Sequence, residues 1–212
     1  MSGSIALVDV CGGNLRSVVR ALEAAGGSVV VTSDPEVVRK ADKVVVPGQG
    51  AFGTFAAGAR DARGLGEALR EVIARGTPFF GICLGMQVLF DDSEEQGPIA
   101  GLGFIAGHVV KFRVNDPKLK VPHIGWNSIT RSHDREPLLE GLGDEPYAYF
   151  DHSYYAVPSD PSVIALACDY GGTFCAAVRK DNLFACQFHP EKSQRVGLTI
   201  LRNFVRSGVE KA

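Results

Sequence analysis

Hydrophobic positions alternate between two periods in the first half of the chain. Ile5–Val10 is an apolar run ending at Cys11-Gly12-Gly13, the pattern of a buried strand entering a glycine turn. Leu15, Val18, Val19 and Leu22 then recur at helical spacing, and Gly26-Gly27 closes that helix. Ser28–Thr32 and Lys43–Val46 predict two further strands. Leu65, Leu69, Val72 and Ile73 predict a second helix, closed by Gly76, and Pro78–Ile82 predicts a strand that runs straight into Cys83. Strand and helix in alternation predict a mostly parallel sheet flanked by helices. After the acidic stretch Asp91–Glu95 the period changes. Short strand-like runs at His108–Phe112, Val163–Cys168, Cys175–Val178 and Leu183–Gln187 are punctuated by Gly and Pro, which predicts a mixed or antiparallel part attached to the same sheet. Leu198, Leu201, Phe204 and Val205 predict a terminal helix. The expected architecture is therefore α/β, one domain over residues 1–212, with no internal repeat, low-complexity tract or long linker.

Composition changes this picture little. A chain of 212 residues that is 45% hydrophobic can bury a sizeable core without disulfides or metal. A formal net charge of -2 leaves no electrostatic footprint for nucleic acid or a membrane surface. No apolar stretch has the length of a membrane span, and Met1-Ser2-Gly3-Ser4 lacks the basic start of a secretion signal. The five cysteines form no Cys-x-x-Cys pair; Cys168, Cys175 and Cys186 lie in strand-like sequence and are expected as small buried hydrophobes. A reduced, cytoplasmic setting follows as the expectation.

Two segments carry candidate chemistry. In Gly81-Ile82-Cys83-Leu84-Gly85 a cysteine stands between two glycines at a predicted strand-to-helix turn. Such a turn needs small flanking residues, presents its side chain at the sheet edge, and places the thiol at a helix N-terminus, where free N–H groups favour thiolate. The N–H of Leu84 would face an oxyanion formed there. In Gln187-Phe188-His189-Pro190-Glu191 a histidine and a carboxylate sit just beyond another predicted strand, at the same sheet edge, where open α/β sheets place their active sites. A thiol, a base and an orienting acid are the parts of covalent acyl transfer. Each segment also has a plain alternative: a buried Cys in a core turn, and a surface His-Pro-Glu turn. Gly12-Gly13 lacks the rest of a phosphate-binding fingerprint.

Together these segments resemble the triad class of glutamine amidotransferases, with its flavodoxin-like fold. The resemblance runs from Asp9 to Phe204 and extends to the glutaminase subunits of imidazole glycerol phosphate synthase. It rests on Asp9 with Gly13-Asn14-Leu15-x-Ser17-Val18, Pro47-Gly48-x-Gly50-x-Phe52, Gly81–Gln87, Pro122-His123-x-Gly125-Trp126-Asn127, His152-Ser153-Tyr154-Tyr155 and Gln187–Ser193. It implies glutamine hydrolysis with ammonia passed to a cyclase partner subunit in a heterodimer, and no cofactor or metal. By position it implies Cys83 as nucleophile, His189 as general base and acid, and Glu191 as its partner. Gly48 and Gly50 fall on the oxyanion strand beside Leu84. Gln87, Glu95, Ser153 and Tyr154 fall around the bound glutamine, with Glu95 facing the ammonium. Asn14, Trp126, Asn127 and Lys192 fall near the partner. Without the resemblance, Gln87 and Glu95 would be solvated surface, Trp126 a core residue, and His123 and His152 structural. The chain departs from the family at Val10-Cys11, where Tyr-Gly is usual, and at Gln49, where a small apolar residue is usual. A stand-alone cysteine hydrolase and a non-catalytic binding subunit are the other classes this pattern admits.

Overall fold

The computed structural model describes residues 3–12, 15–61, 64–133 and 136–208. The first half runs β1 (Ser4–Val8), α1 (Leu15–Ala24), β2 (Ser28–Thr32), α2 (Pro35–Lys40), β3 (Lys43–Gly48), α3 (Phe52–Asp61), α4 (Leu65–Ala74), β4 (Phe79–Cys83) and a single helical turn, α5 (Leu84–Gln87). The second half supplies β5 (Asp92–Ser93), β6 (Ile99–Ala100), β7 (Gly107–Lys111), β8 (His123–Ser128), β9 (Thr130–Arg131), β10 (Tyr147–His152), β11 (Tyr154–Pro158), β12 (Ile164–Asp169), β13 (Thr173–Lys180) and β14 (Leu183–Cys186). A short 3-10 turn, Pro190–Lys192, leads into α6 (Gln194–Arg206).

The main sheet has eight strands in the order β2-β1-β3-β4-β14-β13-β12-β9. From β2 to β14 neighbours are parallel, and β13, β12 and β9 continue it antiparallel. Alternation along each strand divides the core between two faces. Leu7, Val45, Phe80 and Phe184 point to the face covered by α1 and α6, where they meet Val18, Leu22, Leu201 and Phe204. Ala6, Val44, Val46 and Phe79 point to the other face and meet Phe55 and Ala59 of α3 and Leu69 and Val72 of α4. The strands β1, β3 and β4 are buried on both faces, which is why they stand out as continuous apolar runs.

Two helices that the sequence pattern does not predict have local causes. The helix α2 was not expected, because six residues are too few to show a stripe; it is set by Asp34, whose side chain accepts from the N–H of Glu36 at 2.8 Å, and by Pro35 in its first turn. The helix α3, Phe-Gly-Thr-Phe-Ala-Ala-Gly-Ala-Arg-Asp, is rich in small residues and likewise shows no wide apolar face. The second half is also only partly attached to the main sheet. The strands β11-β7-β5-β6 form a separate four-stranded sheet and β8-β10 a two-stranded ribbon, so His108–Phe112, expected in the main sheet, falls in the separate one. The chain changes sheets at Ser153, between β10 and β11. No helix among the described residues is long and apolar enough to cross a membrane.

Candidate active site

The ladder of the main sheet decides which side chains meet. On one flank of β4, Gly48 of β3 is the direct partner of Cys83. On the other flank β14 runs parallel to β4 with Cys186 opposite Ile82. Chain continuing past β14 therefore leaves the sheet beside Cys83, and His189 follows three residues beyond Cys186. Two residues remote in sequence are thus brought to one edge by hydrogen-bonded register.

At that edge Cys83 adopts φ 54° and ψ −110°, a conformation side chains seldom take. The strain persists because the turn is clamped on both sides. A Cβ on Gly81 would lie 2.7 Å from the carbonyl oxygen of Gly85, and one on Gly85 would lie 1.9 Å from that of Val46. Only hydrogen fits at either position, as the Gly-x-Cys-x-Gly spacing implied. The helix after Cys83 spans four residues, so the expected helix-dipole contribution reduces to the free N–H groups of one turn. Leu84 carries the first of these.

His189 is tied down at both ends. Its backbone N–H donates to the carbonyl of Tyr149 at 2.9 Å, and its carbonyl accepts from the Ser193 hydroxyl at 2.7 Å. The same Ser193 oxygen accepts from the N–H of Tyr149 at 3.0 Å, which closes the turn against β10. In the ring, Nδ1 lies 2.8 Å from Oε1 of Glu191, both side chains being almost wholly buried. With Nδ1 so engaged, Nε2 is left for Cys83. Burial alone would lower the proton affinity of His189. Hydrogen bonds to Cys83 and Glu191, and the charges of both, outweigh it and raise the pKa to about 10.

A cleft of about 430 Å³ opens in front of this constellation. It is lined by Gly48, Gly50, Cys83, Leu84, Gln87, Glu95, Ser153, Tyr154, His189 and Lys192 among others, so ten of the fourteen residues singled out in the sequence share one cavity wall. Glu191 stands behind His189, on the side away from the cleft. Gln87 is buried, and its Nε2 donates to the carbonyl of Tyr154 at 2.8 Å and to Oε1 of Gln187 at 2.9 Å. Both its donors are spent on the protein, so Oε1 is what it offers a ligand. One oxygen of Glu95 accepts from the N–H of Phe52 at 2.9 Å, holding the carboxylate at the cleft wall.

Trp126, weighed as a core residue on its own, is 46% exposed. It stands edge-on to Tyr149, over whose ring Lys192 Nζ sits at 5.3 Å. Asn127 turns inward: its Nδ2 donates to the carbonyl of Asp169 at 2.8 Å and lies 3.4 Å from Nε2 of His123. Asn14 lies outside the described residues. His123 and His152 are buried against Phe112, Phe150 and Phe174, and Cys168, Cys175 and Cys186 are buried too, whereas Cys11 is exposed. Sequence reasoning assigned no task to Gln187, which is fully buried with Nε2 3.6 Å from Cys83 Sγ. Its signal was available: an amide inside an otherwise apolar strand end, Leu183–Phe188.

Known proteins resemble this chain in sequence and in fold. The family described as glutamine amidotransferase class-I matches residues 6–207. The chain is similar to the imidazole glycerol phosphate synthase subunit HisH of Geobacter sulfurreducens, at 50% identity over 94% of this chain and 97% of the relative. It is similar to those of Syntrophotalea carbinolica, at 50% over 94% and 98%, and Rhodopirellula baltica, at 47% over 98% and 100%. Among solved structures, PurLQS from Thermotoga maritima shares the fold with a TM-score of 0.75 at 19% identity, over 97% of this chain and 98% of that one.

Proposed function

We propose that this chain, which belongs to the class-I glutamine amidotransferases and among them to the HisH subunits of imidazole glycerol phosphate synthase, hydrolyses glutamine with Cys83, His189 and Glu191 as its triad. It is a glutaminase of histidine biosynthesis. The observation that carries the residue assignment is the register of β14 on β4, which sets His189 beside a strained Cys83 while Glu191 holds the far side of the ring at 2.8 Å.

The steps follow from the geometry. Cys83 Sγ attacks the carboxamide carbon of glutamine. The oxyanion is met by the N–H of Leu84 and a second N–H from the Gly48–Gly50 segment. His189 gives its Nε2 proton to the departing nitrogen, ammonia leaves, and a thioester remains. Water, losing a proton to His189, attacks the thioester; glutamate departs and Cys83 regains the thiolate. Glu191 keeps the Nδ1 proton in place and stabilises the imidazolium. Glu95 takes the substrate ammonium, and Gln87 Oε1, Ser153 and Tyr154 take its other polar ends.

Ammonia must pass on without loss to water, and the surface beside the cleft suits a partner. Ile124, Trp126 and Tyr147 are exposed at 59%, 46% and 50% on one face of the β8–β10 ribbon. Lys192 lies at their edge. An exposed aromatic patch with a charged side chain at its rim is the composition of an interface. The cyclase subunit of the synthase is the occupant, as a heterodimer. The variant Cys83→Ala should bind glutamine and release no glutamate, and full activity in it would overturn the assignment. Titrating the cyclase subunit with its nucleotide substrate should raise glutamate release by the unmodified chain; a flat response in a formed complex would overturn the coupling.

A further inference from the structure

The mechanism leaves Gln187, a fully buried polar side chain beside the nucleophile, without a task. Gln187 is 0% exposed, and its backbone N–H is already spent on the carbonyl of Ala176 at 2.8 Å. Its carboxamide is packed in the first position past β14, level with Cys83 across the parallel ladder. A buried amide with no function would be costly to keep, since an apolar side chain there needs no partners.

Its orientation is fixed by a group that cannot flip. The carbonyl of Tyr154 is an acceptor only, so the Gln87 atom 2.8 Å away must be its nitrogen. That same nitrogen is 2.9 Å from the Gln187 carboxamide, which must therefore present its oxygen. The Gln187 nitrogen is left facing Cys83 Sγ at 3.6 Å, within reach of a sulfur acceptor. Turning either amide over would set oxygen against oxygen or nitrogen against nitrogen. Hydrogen-bond polarity thus runs one way, from Gln87 into the carbonyls of Tyr154 and Gln187, and from Gln187 into the sulfur.

We propose that Gln187 is a further catalytic residue of the glutaminase, donating an N–H to the Cys83 sulfur and tying it, through Gln87, to the Ser153–Tyr154 wall of the substrate cleft. This rests on Cys83 being the nucleophile. The donor does two things. It favours the thiolate over the thiol, and it aims the sulfur from the flank opposite Gly48, while His189 supplies the proton. It also matters at the end of the cycle, when the thioester sulfur leaves as an anion and an N–H is already in place for it. Gln87, acting through Gln187, is a positioning residue as well as a wall of the cleft.

The test reads the sulfur directly. Alkylation of Cys83 by iodoacetamide, followed by mass across pH, is compared in the unmodified chain, Gln187→Leu and Gln187→Glu, with glutamate release measured beside it in the presence of the cyclase subunit. Losing a hydrogen bond to a charged group should lower kcat/KM for glutamine about 10- to 100-fold, with KM little changed. The acid limb of alkylation should move to higher pH in Gln187→Leu and further in Gln187→Glu, which keeps the shape and the bond from Gln87 yet sets an anion against the sulfur. A merely structural Gln187 would change the denaturation midpoint and leave that limb in place; superimposable alkylation profiles in folded variants would overturn the proposal. If instead the unmodified chain is not alkylated at Cys83, or Cys83→Ala still releases glutamate, the triad assignment itself falls, whatever Gln187 does.

Discussion

Replacing Gly85 with alanine tests the clamp on the nucleophile turn with a single methyl group. The added carbon would stand 1.9 Å from the carbonyl oxygen of Val46, where contacts under 3.0 Å are essentially never seen, so β3 and the turn must part by more than about 1 Å. Two ways of parting exist. If Val46 gives way, the β3–β4 ladder from Val46–Gly81 to Gly48–Cys83 is pushed apart beside a filled core, an overpacking that costs about 1–3 kcal/mol. If the turn gives way, Cys83 swings out of line with His189, and a displacement of that size costs about 100-fold in rate. Either way the oxyanion segment and the nucleophile separate, so kcat/KM should fall at least about 100-fold while the urea midpoint drops by roughly 1 M. The comparison variant is Gly76→Ala, at the end of α4. There φ is +86° and nothing lies within 4 Å, so the cost is left-handed backbone strain of about 1–2 kcal/mol without any effect on the cleft. The two variants should therefore lose similar stability and differ about 100-fold in activity. Equal activity, with Gly85→Ala folded by circular dichroism, would refute the clamp.

Other consequences are open to the same kind of measurement. His189 is raised to about 10 in the folded chain, despite burial that lowers it, so its contribution to stability is complete below the free-imidazole value and is lost as pH rises through about 10. Glu191→Gln removes one charge behind that shift, and its deficit in urea should be largest near pH 6 and shrink toward pH 10; a deficit constant with pH would contradict it. His123 and His152 are pushed by burial down to about 4 and about 3, so both fold neutral, and the stability they hold above the free-imidazole value is lost as pH falls through those values. Between about pH 6 and pH 4 each should steepen the loss by about 1.4 kcal/mol per pH unit, and His123→Phe should remove one share of that slope in an acid titration followed by circular dichroism. Trp126→Ala should barely change the denaturation midpoint, since the ring is half-exposed, yet weaken binding of the cyclase subunit about 30-fold by calorimetry.

Much of this architecture is legible in the sequence because parallel strands buried on both faces leave unbroken apolar runs. The strands β1, β3, β4 and β14 were each foreseen to within a few residues, and the stripes Leu15–Leu22 and Leu65–Ile73 foretold α1 and α4. The elbow was legible from spacing alone, because a close approach of backbones permits only glycine. What failed to show was non-local. Nothing in His108–Phe112 states that it pairs with β11 and β5 rather than with the main sheet. Trp126 in isolation looks like core, since its exposure depends on which face of the β8–β10 ribbon turns outward. Gln87 and Glu95 look like solvated surface until Tyr154 and Phe52 arrive from other elements to hold them. Gln187 gained its partner only from the register of two strands a hundred residues apart.

That register has a bearing on how the protein can change. The reach from Cys83 to His189 is set by one inter-strand spacing, about 4.8 Å, and by the hold of Tyr149 of β10 on the His189 turn. The intervening stretch Arg113–Val121 is mostly exposed and crosses no strand of the main sheet. Segments there can lengthen, shorten or acquire new partners' contacts while the reacting atoms keep their distance. The proposed triad is in this sense metrically decoupled from the Arg113–Val121 loop, whose contacts can change while Cys83, His189 and Glu191 hold their places.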